Sequence, residues 1–165
     1  MNSYLLYKSN PNNSSDCILN VEIKVSVLRL SFFSLFLKEE RKNLKVFLTR
    51  LYFAIITFFK AKIYIAFVDG NVAHFSYVIP KCYKFPFLER DDYEIGPCYT
   101  DPKYRGNGIY PAVLRMIISS ESGNGYMLVR PDNKPSIKGI EKAGFAIVAT
   151  CLRTSFKIYK MQGNA

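Results

Sequence analysis

The stretch Tyr99-Thr100-Asp101-Pro102-Lys103-Tyr104-Arg105-Gly106-Asn107-Gly108-Ile109-Tyr110-Pro111 joins a strand to a helix through a turn of small residues. At such a junction the first N–H groups of the helix have no internal partner, and the helix dipole adds partial positive charge. Gly106 and Gly108 leave room for a phosphate to approach those groups, and Arg105 adds a fixed charge. The stretch reads as an anion cradle suited to a pyrophosphate. The plainer reading is a strand-to-helix turn that uses its glycines for tight packing. A Walker loop is excluded because Gly-Lys-Ser/Thr is missing, and a Rossmann fingerprint because the third glycine and the later acid are missing.

Periodicity extends the picture on both sides. Residues 93–100 read as a strand interrupted by Gly96-Pro97, where proline cannot donate a ladder bond and a bulge or splayed neighbour is expected. Before it, residues 63–68 and 72–79 flank Asp69-Gly70-Asn71, a hairpin signal. After the cradle, residues 110–120 form a helix with Tyr110, Val113, Leu114 and Ile117 on one face, and Pro111 sits harmlessly in its first turn. Residues 126–130 read as a short strand, 136–143 as a helix closed by Gly144, and 145–149 and 155–159 as final strands. This order implies a mixed α/β sheet in a single domain over residues 1–165.

The N-terminal third says less. Residues 1–16 read as a loosely ordered polar lead-in without the apolar core of a signal peptide, which argues against secretion. Val21, Ile23, Val25 and Val27 alternate with polar residues as in a half-buried strand, and residues 31–37 are an apolar run of uncertain type. Leu44, Phe47, Leu48, Leu51, Tyr52, Ile55, Phe58 and Phe59 follow helical spacing. That helix faces the core or a partner; contact with a membrane surface through residues 42–60 is the less favoured reading. Only nine uncharged residues separate Arg50 from Lys60, too few to span a bilayer.

Of the 165 residues 49% are hydrophobic, which excludes wholesale disorder. Twenty-three Lys and Arg against 13 acids give a net charge of +10, a balance that attracts anions without choosing among nucleotide, nucleic acid and membrane. The basic residues are spread along the chain rather than clustered beside stacking aromatics, so a nucleic-acid partner is not expected. Four dispersed cysteines and one histidine make a metal site unlikely to form at ordinary spacing, and they suit free thiols in a reducing, cytoplasmic setting.

The cradle resembles the acetyl-coenzyme A loop of the GNAT superfamily of N-acetyltransferases, Arg/Gln-x-x-Gly-x-Gly/Ala, here Arg105-Gly106-Asn107-Gly108-Ile109-Tyr110. Asn133-Lys134-Pro135-Ser136-Ile137-Lys138-Gly139-Ile140-Glu141-Lys142-Ala143-Gly144-Phe145 is similar to that family's second signature, Asn-x-x-Ala/Ser ending in Glu-Lys-x-Gly-Phe. The resemblance covers residues 63–159 and says little about 1–60. It implies a mixed, mostly antiparallel central sheet with helices on both faces, and acetyl-CoA as acyl donor with no metal. Cys98, Tyr99 and Thr100 would pair with the pantetheine arm through their backbone. Gly106, Asn107, Gly108, Ile109 and Tyr110 would hold the pyrophosphate with Arg105 at its edge, and Asn133 and Ser136 would touch the coenzyme near the second helix. Two positions depart from the family pattern: Tyr110 stands where Gly or Ala is usual, and Ile140 where many members place the tyrosine that protonates the leaving thiolate. Tyr126, Cys151 or water is left to supply that proton.

Attack on a thioester needs a neutral amine, and an alkylamine near pKa 10.4 is only about one part in 10³ neutral at pH 7. A base is therefore useful. Glu94, on the strand leading into the cradle, and His74, on the hairpin strand expected beside it, are the candidates; a solvated strand face and a packed histidine are the bland alternatives. Lys81, Lys84 and Arg90 suit an anionic acceptor such as a nucleotide-linked amino sugar, and the second signature resembles small bacterial members linked to surface-polysaccharide synthesis. A peptide or protein amine, a catalytically silent coenzyme-binding module, and a homodimer remain open at this stage.

Overall fold

A computed structural model describes residues 2–10, 19–30, 44–155 and 158–164 of the chain. Eight strands and three α-helices follow in the order β1 (Asn2–Ser9), β2 (Lys24–Arg29), α1 (Leu44–Ile56), β3 (Lys62–Val68), β4 (Asn71–Pro80), β5 (Tyr93–Thr100), α2 (Ile109–Ser120), β6 (Gly125–Val129), α3 (Lys134–Lys142), β7 (Phe145–Arg153) and β8 (Tyr159–Asn164). They build one sheet ordered β2-β3-β4-β5-β6-β1-β7-β8. Every neighbouring pair is antiparallel except β5 and β6, which run parallel. This is the mixed α/β sheet expected from the sequence.

Helices cover both faces. On one, Ile109, Val113, Leu114 and Ile117 of α2 and Ile140 of α3 pack on Tyr64, Val78, Tyr93, Ile95, Met127 and Val129. On the other, Phe53 and Ala54 of α1 pack with Leu30, Ile63, Tyr77, Ile79, Phe85 and Leu88. Each large apolar side chain so buried contributes about 1.5–3 kcal/mol, which is what fixes strand register where alternate residues face opposite layers. The hairpin between β3 and β4 turns through Asp69 (φ 49°) and Gly70 (φ 77°), the pair of positive angles that a tight two-residue turn needs.

Several expectations need correction. The lead-in is not loose over its first residues: Asn2–Ser9 is a strand that pairs with β6 and β7 in the interior of the sheet. Leu5 and Tyr7 turn to the α2–α3 core while Leu6, fully buried, turns to the other face, so Tyr4-Leu5-Leu6-Tyr7 supplies both layers. The polar run after it outweighed those four residues in the sequence. Strand β2 begins at Lys24, with Val21 and Ile23 packing on the core ahead of it. Helix α1 stops at Ile56 and does not include Phe58 and Phe59. Thr57 ends it: its hydroxyl donates to the Phe53 carbonyl (2.7 Å) and accepts from Ala61 N–H (3.1 Å), and the next two residues take left-handed angles as the chain reverses into β3. At the C-terminus β7 continues to Arg153, and its partner β8 starts at Tyr159, where the last strand was expected to finish. The apolar run at 31–37 and residues 11–16 of the lead-in lie outside the described residues. Among the described residues no helix is long and apolar enough to cross a membrane.

Candidate active site

Strands β5 and β6 pair at only two positions, Tyr93 with Gly125 and Glu94 with Tyr126. Beyond Glu94 the strand carries the expected bulge: its pairing with β4 jumps from Ile95–Val78 to Cys98–Ser76, leaving Gly96 and Pro97 as the irregularity. The strand is thereby turned from its parallel neighbour, and a wedge opens between residues 94–98 and 127–130. Two clefts meet in it.

The first, about 410 Å³, lies over the cradle and is lined by Tyr99, Thr100, Arg105, Gly106, Gly108 and Tyr110, among others. Gly108 caps α2 in a left-handed conformation (φ 75°) with no side-chain cap bond. Pro111 has no N–H, and Ala112 N–H bonds the Gly108 carbonyl (3.2 Å). Ile109 and Tyr110 are therefore the first-turn residues whose N–H groups a helix start leaves without an intrahelical acceptor. Gly106 also has positive φ (83°), and a Cβ there would meet nothing within 4 Å, so the approach to the turn is open. Arg105 is oriented by its Nε–H bond to the Thr100 carbonyl (3.1 Å), and Asn107 braces the turn through the Tyr104 carbonyl (3.2 Å). Ile109 is buried under the helix start and Asn133 caps α3, its side chain accepting from Ser136 N–H (3.3 Å). Lys138 and Lys142, one helical turn apart on α3, line the same cleft. Their (i, i+4) spacing was the available sequence signal, and it was missed. Open main-chain donors with three cations around them fit the diphosphate of a coenzyme A molecule.

The second cleft, about 920 Å³, opens toward α1. Its walls include Tyr4, Tyr52, Phe53, Phe85 and Tyr159, with Glu94 and Lys84 among them. Tyr159 stacks on Phe85 (5.7 Å) and meets Tyr4 edge-on (5.2 Å), so β1, β8 and the loop after β4 together make one aromatic wall. Lys84 Nζ lies 5.1–5.8 Å from the ring centres of Phe85, Phe53 and Tyr159. Sequence reading placed Tyr52 on a helical stripe but assigned none of these aromatics to a site, because they come from segments far apart in the chain.

Glu94 is 6% exposed and its Oε2 has no hydrogen-bond partner. Burial pushes its carboxyl up to about 8, with Lys84 opposing. Gly96 makes the room, since a Cβ there would lie 2.7 Å from Glu94 Oε1. His74 is different. Both ring nitrogens are engaged at 2.7 Å, Nδ1 with Thr100 Oγ1 and Nε2 with Ser76 Oγ, and burial lowers its pKa to about 4. It lines the cradle cleft, and Glu94 the aromatic one. Tyr126 packs against Phe87, and Cys151 is buried in the layer between β1 and β7; neither lines a cleft described above.

Residues 30–145 match the model of the acetyltransferase (GNAT) family. Among solved structures, the chain is similar to a GNAT-family acetyltransferase from Colwellia psychrerythraea, with 15% identity and a TM-score of 0.61 over 91% of this chain and 54% of that one. It is also similar to a GCN5-related N-acetyltransferase-like protein from Streptococcus suis (12%, TM-score 0.52, 90% and 58%). A tandem GNAT protein from the clavulanic acid biosynthesis pathway is a third (12%, TM-score 0.51, 89% and 50%). The chain spans between half and three fifths of these three proteins, and at such identities the likeness is one of fold. No curated protein matches the sequence, and the comparisons carry no support for a link to surface-polysaccharide synthesis. A family model covering well over half of the chain, on a sheet splayed beside a glycine cradle, establishes that the chain belongs to the GNAT family of acetyltransferases.

Proposed function

We propose that the protein transfers the acetyl group of acetyl-CoA to the primary amine of a small molecule by direct attack, with Glu94 as general base. The observation that carries this reading is the buried Glu94 carboxyl, its Oε2 without a hydrogen-bond partner, in an aromatic cleft that communicates with the cradle through the wedge. Bound in the cradle, acetyl-CoA supplies an acyl carbon activated by a thiol leaving group. Arg105, Lys138, Lys142 and the first-turn N–H groups of α2 hold its phosphates. The free edge of β5 over Cys98, Tyr99 and Thr100 aligns the arm, and Asn133 and Ser136 flank its path.

Glu94 takes the nitrogen's proton. A carboxyl with its pKa near 8 is a far better match to an amine than one near 4, because proton transfer is most efficient between groups of similar basicity. His74, neutral and engaged on both nitrogens, orders the strand pair beside the cradle in this reading.

For the acceptor we favour a nucleotide-linked amino sugar. Flat aromatic walls suit the apolar face of a sugar ring, and Lys84 offers an ammonium to a phosphate. The deciding experiment incubates the protein with radiolabelled acetyl-CoA and a panel of nucleotide-linked amino sugars, simple alkylamines and peptides. Label in the nucleotide-linked products supports the proposal. Label only in peptides replaces the acceptor class, and acetyl-CoA binding with no transfer to any amine replaces the enzyme by a silent coenzyme-binding module.

A further inference from the structure

Four residues line both clefts: Cys98, Tyr110, Asn133 and Ser136. The Tyr110 hydroxyl stands 3.3 Å from Ser136 Oγ on α3 and interacts with the Cys98 thiol on β5, so it spans the two walls of the passage between the clefts. The ring is held in place. A Cβ on Gly139 would come 2.5 Å from Tyr110 Cδ1, so the ring lies against bare α3 backbone, and its other neighbour is His74 at 5.6 Å between ring centres. Any acyl group moving from the cradle toward Glu94 passes this hydroxyl.

We propose that Tyr110 is the proton donor to the coenzyme's sulfur as the acetyl group departs, an assignment that rests on the acetyl-transfer reading above. Glu94 accepts the proton that nitrogen sheds as the C–N bond forms. The C–S bond breaks with its electron pair going to sulfur, and Tyr110 delivers its proton there. Water returns to Tyr110, by way of Ser136, the proton that Glu94 collected, and the sum is amine plus thioester giving amide plus thiol. Surrounding groups suit a donor. Desolvation holds the phenol well above its ordinary pKa, so its proton is in place at neutral pH. Behind it Ser76 donates to Cys98 Sγ (3.1 Å) and His74 joins Ser76 to Thr100, a chain of neutral groups that fixes the thiol against which the phenol rests.

The test has a binding arm and a turnover arm. Calorimetry compares coenzyme A with its desulfo analogue on the wild type and on Tyr110→Phe. The wild type is expected to prefer the sulfur-bearing molecule by about threefold to tenfold, the value of one hydrogen bond, and Tyr110→Phe to lose that preference while keeping its affinity for the desulfo form. In turnover, Tyr110→Phe is expected to lower kcat about 10²-fold with KM for acetyl-CoA unchanged. Gly139→Ala, which keeps the phenol but displaces its ring, is expected to lower kcat about tenfold or more. The proposal is overturned if Tyr110→Phe retains the wild-type kcat or the preference for sulfur. It is equally overturned if the variant binds acetyl-CoA more tightly and turns over faster, since the ring would then be an obstruction. Failure of the wild type to bind acetyl-CoA at all sinks the acetyl-transfer reading itself, an outcome distinct from either.

Discussion

The two sides of the wedge are built in opposite ways. On the cradle side, nearly every residue that lines the cleft comes from 98–111 and 133–142, two short continuous segments whose work is done by main-chain N–H groups, glycine geometry and helix starts. On the α1 side, the cleft gathers Tyr4, Tyr52, Phe53, Lys84, Phe85, Glu94 and Tyr159 from four elements and one loop. Main-chain chemistry leaves a local trace, because the residues that shape one loop must be neighbours. A pocket walled by side chains leaves none. The spacing within a loop therefore speaks for the acyl donor, and three-dimensional convergence alone speaks for the acceptor.

That contrast is open to direct attack. The largest effect is expected from Glu94→Gln, which leaves the cradle intact: kcat should fall about 10²–10⁴-fold while calorimetric affinity for acetyl-CoA stays as it was. Because the base acts when ionised, wild-type kcat should rise with pH up to about 8 and level off, and the variant should lose that rise. If Glu94→Gln weakens coenzyme binding instead, the division between the sides is false. Next comes Leu6→Ala in the first strand. Leu6 is completely buried between β6 and β7, so thermal or urea unfolding should show about 2–5 kcal/mol less stability. A loss under about 1 kcal/mol would mean that β1 is an ornament on a sheet that stands without it.

Gly108→Asp sharpens the cradle side. A carboxylate at a left-handed cap facing the diphosphate should weaken acetyl-CoA about 10²-fold, with the Glu94-dependent pH profile of the residual activity unchanged. The smallest effect, taken per pH unit, concerns stability. The folded-state pKa of Glu94 is raised to about 8, so between its ordinary value near 4.5 and 8 the native chain holds a proton that the unfolded chain has released. Stability from this group is complete below about 4.5 and declines as pH rises to about 8, by up to ~1.4 kcal/mol per pH unit. Denaturation series at several pH values should show this slope flattened in Glu94→Gln.

The same contrast explains what could be read beforehand. Asp69-Gly70 announced its hairpin because two positive φ angles admit few residue pairs, and Gly96-Pro97 announced the bulge because proline cannot serve a ladder. Arg105-Gly106-Asn107-Gly108 was legible for a similar reason, whereas Asn133 was read as a coenzyme contact and not as the cap of α3 that it is. The central place of Asn2–Ser9 was not, because four apolar residues beside a polar run look alike whether they end a tail or fill a slot between β6 and β7. Tyr110 was read as a helix-face residue and as part of the pyrophosphate loop, oversized for its place there, and not as a bridge between two clefts. Its complement, Gly139, lies a helix away, and no spacing rule couples the two.

The interior position of β1 also sets an order of events in synthesis. The strand leaves the ribosome ahead of every other described strand, yet its neighbours lie far downstream: Leu5 pairs with Val129, and Tyr4 with Cys151. At ordinary elongation rates it waits on the order of ten seconds with both edges unsatisfied. The nascent chain must keep Tyr4-Leu5-Leu6-Tyr7 from pairing elsewhere until the C-terminal strands emerge to enclose it.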